Sequence, residues 1–257
     1  HFRVTSSEPW LHWFERHARG YSVRIEDSTD RIAALALQGP RSREILKPLV
    51  EFDMDRMRFF RVRKTTLAGL PVWISRTGYT GDLGYEIWCD RGDALAIWDA
   101  LMQTGTPLGM EPIGLDALDV ARLEAGFVLQ GVDYISAKNC IIESRKSTPY
   151  EAGLGWTVDL DREPFIGQAA LRRHLEMGPI WKLVGLEISW PALEKLYDEY
   201  TLPPHLAPIA CRLAVPLFDS TGRTQVGQAT STTWSPTLKR YIAIGQVHAA
   251  YGVEGSE

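Results

Sequence analysis

Cysteine is scarce in this sequence. Cys89, Cys140 and Cys211 are widely spaced, odd in number and free of any CxxC pattern, which argues against a disulfide framework or a thiolate metal site. A reducing cytoplasm is the expected setting. No apolar run approaches the roughly 18 to 20 residues that a membrane-spanning helix needs, no secretory leader pattern is visible, and no membrane partner is expected. Positive charge is not in excess either: 28 Lys and Arg against 32 Asp and Glu give a formal net charge of -4. Such a balance supplies no field for nucleic acid. The six histidines, His1, His12, His17, His174, His205 and His248, form no HxH or HExxH pair, so no metal centre is expected. There is no GxGxxG or P-loop, and Ser42 and Ser75 lack the nucleophile-elbow context of a serine hydrolase.

What the chain does have is length and apolar content. Its 257 residues are 45% hydrophobic, enough for more than one core and at the size where one large domain shades into two. Trp10, Leu11, Trp13, Phe14 and Ala18, between Pro9 and Gly20, have helical spacing. His1–Thr5 and Ser22–Glu26 read as strands. Ile32–Gln38 is a nearly continuous apolar run that must stop at Gly39-Pro40, and Arg41–Val50 returns to helical spacing. Phe59–Thr66, Val72–Arg76 and Tyr85–Cys89 are β-rich, and Asp93–Met102 is an apolar-faced helix. The expected order is β-α-β-β-α-β-β-β-α, without a regular βαβ repeat, which favours an α+β arrangement with mixed, largely antiparallel sheets over a doubly wound fold.

Further on, Leu115–Ala125 is a helix closed by Gly126, and Val128–Tyr134 is expected to be extended. Pro191, Pro203, Pro204 and Pro208 mark residues 191–208 as a connector. Cys211–Val253 carries β-type runs every 8 to 12 residues, split by Asp219–Gly222, Gly227 and Trp234-Ser-Pro236, the pattern of a small barrel or sandwich.

The most informative stretch is Ser75-Arg-Thr-Gly-Tyr-Thr-Gly-Asp-Leu-Gly-Tyr-Glu86. Three glycines between two β-like runs let the backbone turn sharply and approach a flat ligand. Tyr79 can stack or donate from that turn. Glu86, on the strand after it, can accept two parallel N–H bonds from an amino-pyrimidine edge such as a pterin presents. An ordinary glycine-rich hairpin with a surface glutamate is the alternative.

This segment resembles the RTGYTGExGYE signature of the aminomethyltransferase family, the T-proteins of the glycine cleavage system, with Asp82 in place of the usual glutamate. Leu35–Leu46 is similar to the family's ALQGPxAREIL turn and helix, Arg122–Gly126 to its RLEAG helix end, Pro149–Trp156 to its PxEAGLGW strand, and Phe165–Gln168 to its FIG turn. Asp219–Gly222, Val226-Gly227 and Thr230–Lys239 resemble its DxxG, VG and TSGxxSPxLK pattern. The matches run in order over nearly the whole chain.

The resemblance implies a T-protein-like fold of three domains around a central opening that holds tetrahydrofolate. On that basis an α+β folate-binding domain is expected over residues 1–110, a second α+β segment completing the folate-binding core over 111–190, a linker over 191–208, and a C-terminal β-barrel module over 209–257. The implied activity is transfer of a one-carbon unit from a lipoyl-carried aminomethyl group to tetrahydrofolate with release of ammonia, in partnership with a lipoylated carrier protein. Glu86 is the implied pterin grip and Tyr79 its neighbour; Arg76, Arg122 and Trp156 are further folate-binding candidates. Arg122 forks a folate carboxylate or pairs internally with Glu124 or Asp119, and Trp156 walls the pocket or belongs to a core strand.

Two departures qualify the implied reaction. The position four residues before Arg122, usually an arginine of the folate site, is Leu118, which keeps open a folate-dependent demethylase. The aspartate considered catalytic in T-proteins lies in an N-terminal region that the chain is expected to lack, so no catalytic residue is assigned. A non-catalytic folate-binding protein of the iron-sulfur assembly branch is a third reading. Its KGC(F/Y)xGQ motif is replaced here by Glu163-Pro-Phe-Ile-Gly-Gln168, without the cysteine.

Overall fold

Ile32–Gln38 contains no glycine or proline until Gly39-Pro40 follows. In the computed structural model it forms the first strand, β1 (Ile32–Gln38). Residues 2–205, 207 and 209–256 are described. They divide into two compact units, His1–Pro112 and Ile113–Glu257. His1, part of an expected strand, and Pro208, at the end of the expected connector, lie outside the described residues.

In the first unit, β1 pairs antiparallel with β4 (Gly84–Asp90), β4 with β3 (Leu70–Ser75) and β3 with β2 (Val62–Leu67), in the order β1-β4-β3-β2. The helices are α1 (Leu11–His17), α2 (Ser42–Leu46) and α3 (Ala94–Gly105). Side chains alternate across a strand. Leu37, Val72, Ile74 and Ile87 therefore share one face, where they pack with Leu46 of α2 and Ile97 and Leu101 of α3. The other face carries Ala36, Trp73, Ser75 and Glu86.

Two expected strands are absent among the described residues: neither Phe2–Thr5 nor Ser22–Glu26 forms a ladder. Phe2, Val4 and Val23 are exposed. Alternation marks a strand only where a neighbour takes its backbone hydrogen bonds. The helix expected over Arg41–Val50 is shorter: after α2 the chain tightens into a 3-10 turn, Lys47–Leu49, at Pro48.

In the second unit, β5 (Trp181–Ile188), β8 (Arg240–His248), β7 (Gln225–Ser235) and β6 (Val215–Phe218) form an antiparallel sheet in that order. The molecule is thus α+β with antiparallel sheets, as its sequence suggests. The small C-terminal barrel is not found: the described strands make an open sheet with β5 and β6 at its ends. Gly227, expected to split two strands, lies inside β7, because a Cβ there would stand 2.1 Å from the Gln246 carbonyl oxygen of β8. Val128–Tyr134 is a turn rather than a strand, pinned by a Gln130–Tyr134 bridge. Part of the stretch read as a connector is helical. After α4 (Leu115–Glu124) and α5 (Gln168–Met177), helix α6 covers Trp190–Asp198. The Ser189 side chain caps α6 and Pro191 sits in its first turn, where proline costs no hydrogen bond. Among the described residues no helix is long and apolar enough to cross a membrane.

The interior of this unit is held by charge. Arg122, 1% exposed, donates from Nε to Asp119 (2.7 Å), from Nη1 to Asp133 (2.6 Å) and from Nη2 to the Ser231 hydroxyl (2.9 Å). Asp133 also accepts from the hydroxyls of Thr230 (2.5 Å) and Ser231 (2.7 Å). Neighbours on a strand normally face opposite ways; here the β7–β8 register shifts between Ala229 and Ser231. Such a bulge re-aims side chains, so both hydroxyls reach one carboxylate. Asp119 further accepts from Arg212 Nε at 2.7 Å. Burial pushes the Asp119 carboxyl up, but the hydrogen bonds from Arg212 and Arg122 outweigh it and hold the group below its ordinary range. Asp219, in the β6–β7 turn, is drawn down to about 2, chiefly by the Thr221 hydroxyl.

Two outcomes are expected. Arg122→Met leaves the buried Asp133 carboxylate without its cation and Asp119 with Arg212 alone, and should cost about 3 to 5 kcal/mol, measured by urea unfolding. Both depressed aspartates contribute stability that is complete above the unfolded pKa of about 3.9 and is lost as pH falls through their lower folded values. The urea midpoint should therefore drop between pH 5 and pH 2.5, and Asp119→Asn should drop less steeply than the wild type.

Candidate functional site

The glycine-rich segment connects β3 to β4, and it is shaped by a residue from another strand. Gln38, the last residue of β1, donates its Nε2 to the Tyr85 carbonyl (3.2 Å) and the Thr77 carbonyl (3.4 Å), and its Oε1 accepts from the Thr80 hydroxyl (3.4 Å). A Cβ on Gly78 would fall 1.9 Å from Gln38 Oε1, and one on Gly84 would fall 1.8 Å from it. A Cβ at either position would have to displace the Gln38 amide, whereas Gly81 has the left-handed φ of +80° that glycine adopts without strain. Helix α2 fastens the same hairpin: Ser42 Oγ donates to the Leu83 carbonyl at 3.1 Å and Arg43 Nε to the Tyr85 hydroxyl at 3.0 Å.

This scaffold sets Glu86. It stands on β4 between Ala36 of β1 and Ser75 of β3, half-buried on the sheet face away from the core. Its Oε2 is 2.6 Å from the Thr77 hydroxyl and 3.1 Å from the Ser75 hydroxyl, and those hydroxyls are 2.9 Å apart. The 2.6 Å contact has the length of a charge-assisted O–H···O⁻ bond. Each hydroxyl carries one proton. With Thr77 donating to Glu86 and Ser75 donating to Thr77, Oε2 keeps one lone-pair site open, and Oε1 has no hydrogen-bond partner among the described residues. The carboxylate is fixed in direction yet able to accept two parallel N–H groups.

The remaining candidates divide between the units. Tyr79 is half-buried in the hairpin. Arg76 follows Ser75, donates Nη1 to the Met57 carbonyl at 2.7 Å and lies 5.9 Å from the Phe59 ring centre, with its Nε buried and unpartnered. Glu86, Tyr79 and Arg76 thus belong to the first unit. In the second unit, Arg122 takes the internal of its two anticipated roles: its guanidinium is spent on Asp119, Asp133, Ser231 and the Phe127 carbonyl. Glu124, the other anticipated partner, instead accepts from Ser235 and Thr237. Trp156 is 71% exposed and sits in a 3-10 turn, Gly155–Thr157, so neither a core position nor a strand describes it. The glycines around it favour the turn. Leu118 lies half-buried on α4, one turn before Arg122.

Sequence reasoning overlooked Gln38, Ser75 and Thr77 as supports of Glu86. Their signal was present: a symmetric hairpin centred on Thr80-Gly81 sets Ser75 opposite Glu86, as the ladder does.

The family model of the GCVT N-terminal domain matches residues 2–162. An aminomethyltransferase of Halothermothrix orenii is 38% identical over 225 residues, covering 88% of this chain and 55% of that protein. One of Caldanaerobacter subterraneus subsp. tengcongensis is 33% identical over 246 residues, covering 95% and 58%. The crystal structure of the glycine cleavage system aminomethyltransferase T of Bartonella henselae superposes with a TM-score of 0.73 at 28% identity, over 96% of this chain and 59% of that one. The chain spans a little over half the length of these relatives. A match across more than half of the chain, with the ordered motifs folded into the hairpin and ion cluster described above, establishes that the chain belongs to the GCVT family of aminomethyltransferases.

Proposed function

We propose that the protein containing this chain is a tetrahydrofolate-dependent aminomethyltransferase, which moves the carbon of a lipoyl-carried aminomethyl group onto tetrahydrofolate and releases ammonia. The observation that carries the reading is Glu86: one carboxylate oxygen anchored by Thr77, the other open, on a sheet face that the unit's apolar core leaves free. An amino-pyrimidine edge offers two donors to such a group. Tyr79, half-buried in the hairpin that precedes Glu86, is the candidate for stacking on the pterin, whereas Arg76, whose Nε is buried and whose Nη1 is spent on the Met57 carbonyl, is the weaker folate candidate. Arg122, whose donors are committed internally, has a structural role in this reading.

The protein's share of the chemistry is positioning. A folate nitrogen is the nucleophile, so orienting the pterin against the incoming carbon lowers the barrier without covalent catalysis, and excluding water protects an iminium-like intermediate. The donor is a lipoylated carrier protein, and the setting is the cytoplasm. A folate-dependent demethylase is the second reading. It rests on Leu118, which replaces a charged folate contact with an apolar side chain.

Three measurements test these statements. The full-length protein, supplied with a lipoylated carrier and tetrahydrofolate, should yield methylene-folate and ammonia; formation of neither, with turnover of N-methyl donors instead, would move the assignment to a demethylase. In calorimetry with tetrahydrofolate, Glu86→Ala should bind about ten- to a hundredfold more weakly, the equivalent of roughly 1.5 to 3 kcal/mol for a charged hydrogen bond; equal affinities would reject the pterin grip. Gly84→Ala should weaken binding as well, although it removes no polar group, because its methyl displaces Gln38. Overpacking of this kind typically costs about 1 to 3 kcal/mol, readable in the same titration and in a thermal melt.

A further inference from the structure

Although the chain as a whole is acidic, residues 56–64, Arg-Met-Arg-Phe-Phe-Arg-Val-Arg-Lys, contain five cations and no carboxylate. They lead into and begin β2, the edge strand of the first sheet. Four of these cations, Arg56, Arg58, Arg61 and Arg63, line one groove of about 240 Å³. A second concavity of about 480 Å³ adjoins it, sharing Phe52 and Arg63 and adding Lys64. Arg63 is held over the Phe52 ring at 4.8 Å, which orients its guanidinium without using its hydrogen bonds. Of the nearby acids, Asp53 pairs with Arg56 and Asp55 with Lys47 and Arg43, while Glu51 lines the adjoining concavity and not the groove. Arg58, Arg61, Arg63 and Lys64 have no acidic partner among the described residues.

The backbone contributes to the convergence. Phe60 has a φ of +56°, a left-handed conformation that is costly for a bulky side chain and is concentrated at ligand clamps and other functional sites. It lies between Arg58 and Arg61, the two arginines it separates in the groove wall. Cations on an edge strand also discourage pairing with another sheet, but that role needs charge only on the strand. It does not account for Arg56 and Arg58, which precede β2 and line the same groove.

From this geometry we infer a second ligand site: the groove formed by Arg58, Arg61 and Arg63 binds a small polyanion that carries two or more phosphate or carboxylate groups. Guanidinium forks match either oxyanion bidentately, and unpaired forks around one concavity suit several anionic groups in series rather than one. The site is independent of the pterin reading. Arg63 pairs with Ile74 and Glu86 with Ser75, so the two lie on opposite faces of the sheet.

The test titrates the chain with inorganic tripolyphosphate, a triglutamate peptide and acetate, at two salt concentrations. Tripolyphosphate or triglutamate should bind, more weakly at high salt, and the tighter of the two identifies the anion class; acetate should not. Arg61→Gln and Arg63→Gln should each lose about tenfold in affinity, whereas Arg173→Gln, a charge-matched change in the second unit, should lose none. Arg61→Lys, which keeps the charge and removes the fork, should lie between wild type and Arg61→Gln, and it serves as the reading should the glutamine variants misfold. Absence of oligoanion binding, or equal losses in Arg61→Gln and Arg173→Gln, would overturn the site.

Discussion

The first unit depends on the side-chain amide of Gln38. Its hydrogen bonds run to two carbonyls on opposite arms of the β3–β4 hairpin, in a position that a Cβ at Gly78 or Gly84 would force it to leave. Ser75 and Glu86 meet as ladder partners, and Thr77, whose carbonyl the amide grips, joins them through its hydroxyl. An amide suits the task because it donates and accepts at once, satisfying buried backbone groups that a shorter or apolar residue at the end of β1 would leave without partners. Two motifs far apart in the sequence are thereby one device: the turn after β1 exists to grip the glycine-rich hairpin, and the hairpin exists to aim a carboxylate.

The second unit achieves a similar union with charge. Arg122 from the end of α4 meets Asp133 from the following turn and the Ser231 hydroxyl from the bulge in β7, and Asp133 in turn accepts from both Thr230 and Ser231, while Glu124 takes Ser235 and Thr237 at the far end of the same strand. A buried arginine is tolerable here because each carboxylate around it is itself supplied with further donors. That arrangement explains why the RLEAG-like helix end and the serine- and threonine-rich strand carry a shared pattern without requiring that either touch a ligand.

Much of this was legible in the sequence, and the failures have physical causes. Ile32–Gln38 and Leu115–Glu124 were readable because composition, periodicity and a terminating glycine agreed. Glu86 was readable as a strand carboxylate beyond a hairpin. Ser22–Glu26 misled because alternation does not reveal whether a partner strand exists. Gly227 misled because close approach of two strands and a turn both demand glycine. α6 was masked by prolines: Pro191 occupies the only helical turn that accepts it, and Pro203 and Pro204 follow the helix. The arginine groove went unread, because the chain's overall acidity hid a local run of cations and nothing in a sequence shows a concavity. The partners of Arg122 were ambiguous because Glu124 and Asp119 are both within helical reach, and only the bulge in β7 decides where the guanidinium points.

That bulge also bears on how the second sheet avoids mispairing. An extra residue at Thr230 puts the two halves of β7 out of phase, so a slide of the strand by one position against β8 would restore alternation only by turning one of the two hydroxyls away from Asp133. The carboxylate would then face Arg122 with fewer donors, inside a region closed to water. Sliding is therefore opposed at a single point in the interior, and the long strand has one alignment even though small and polar side chains along much of its length, Gly227, Thr232 and Thr233 among them, would by themselves discriminate poorly between neighbouring ones.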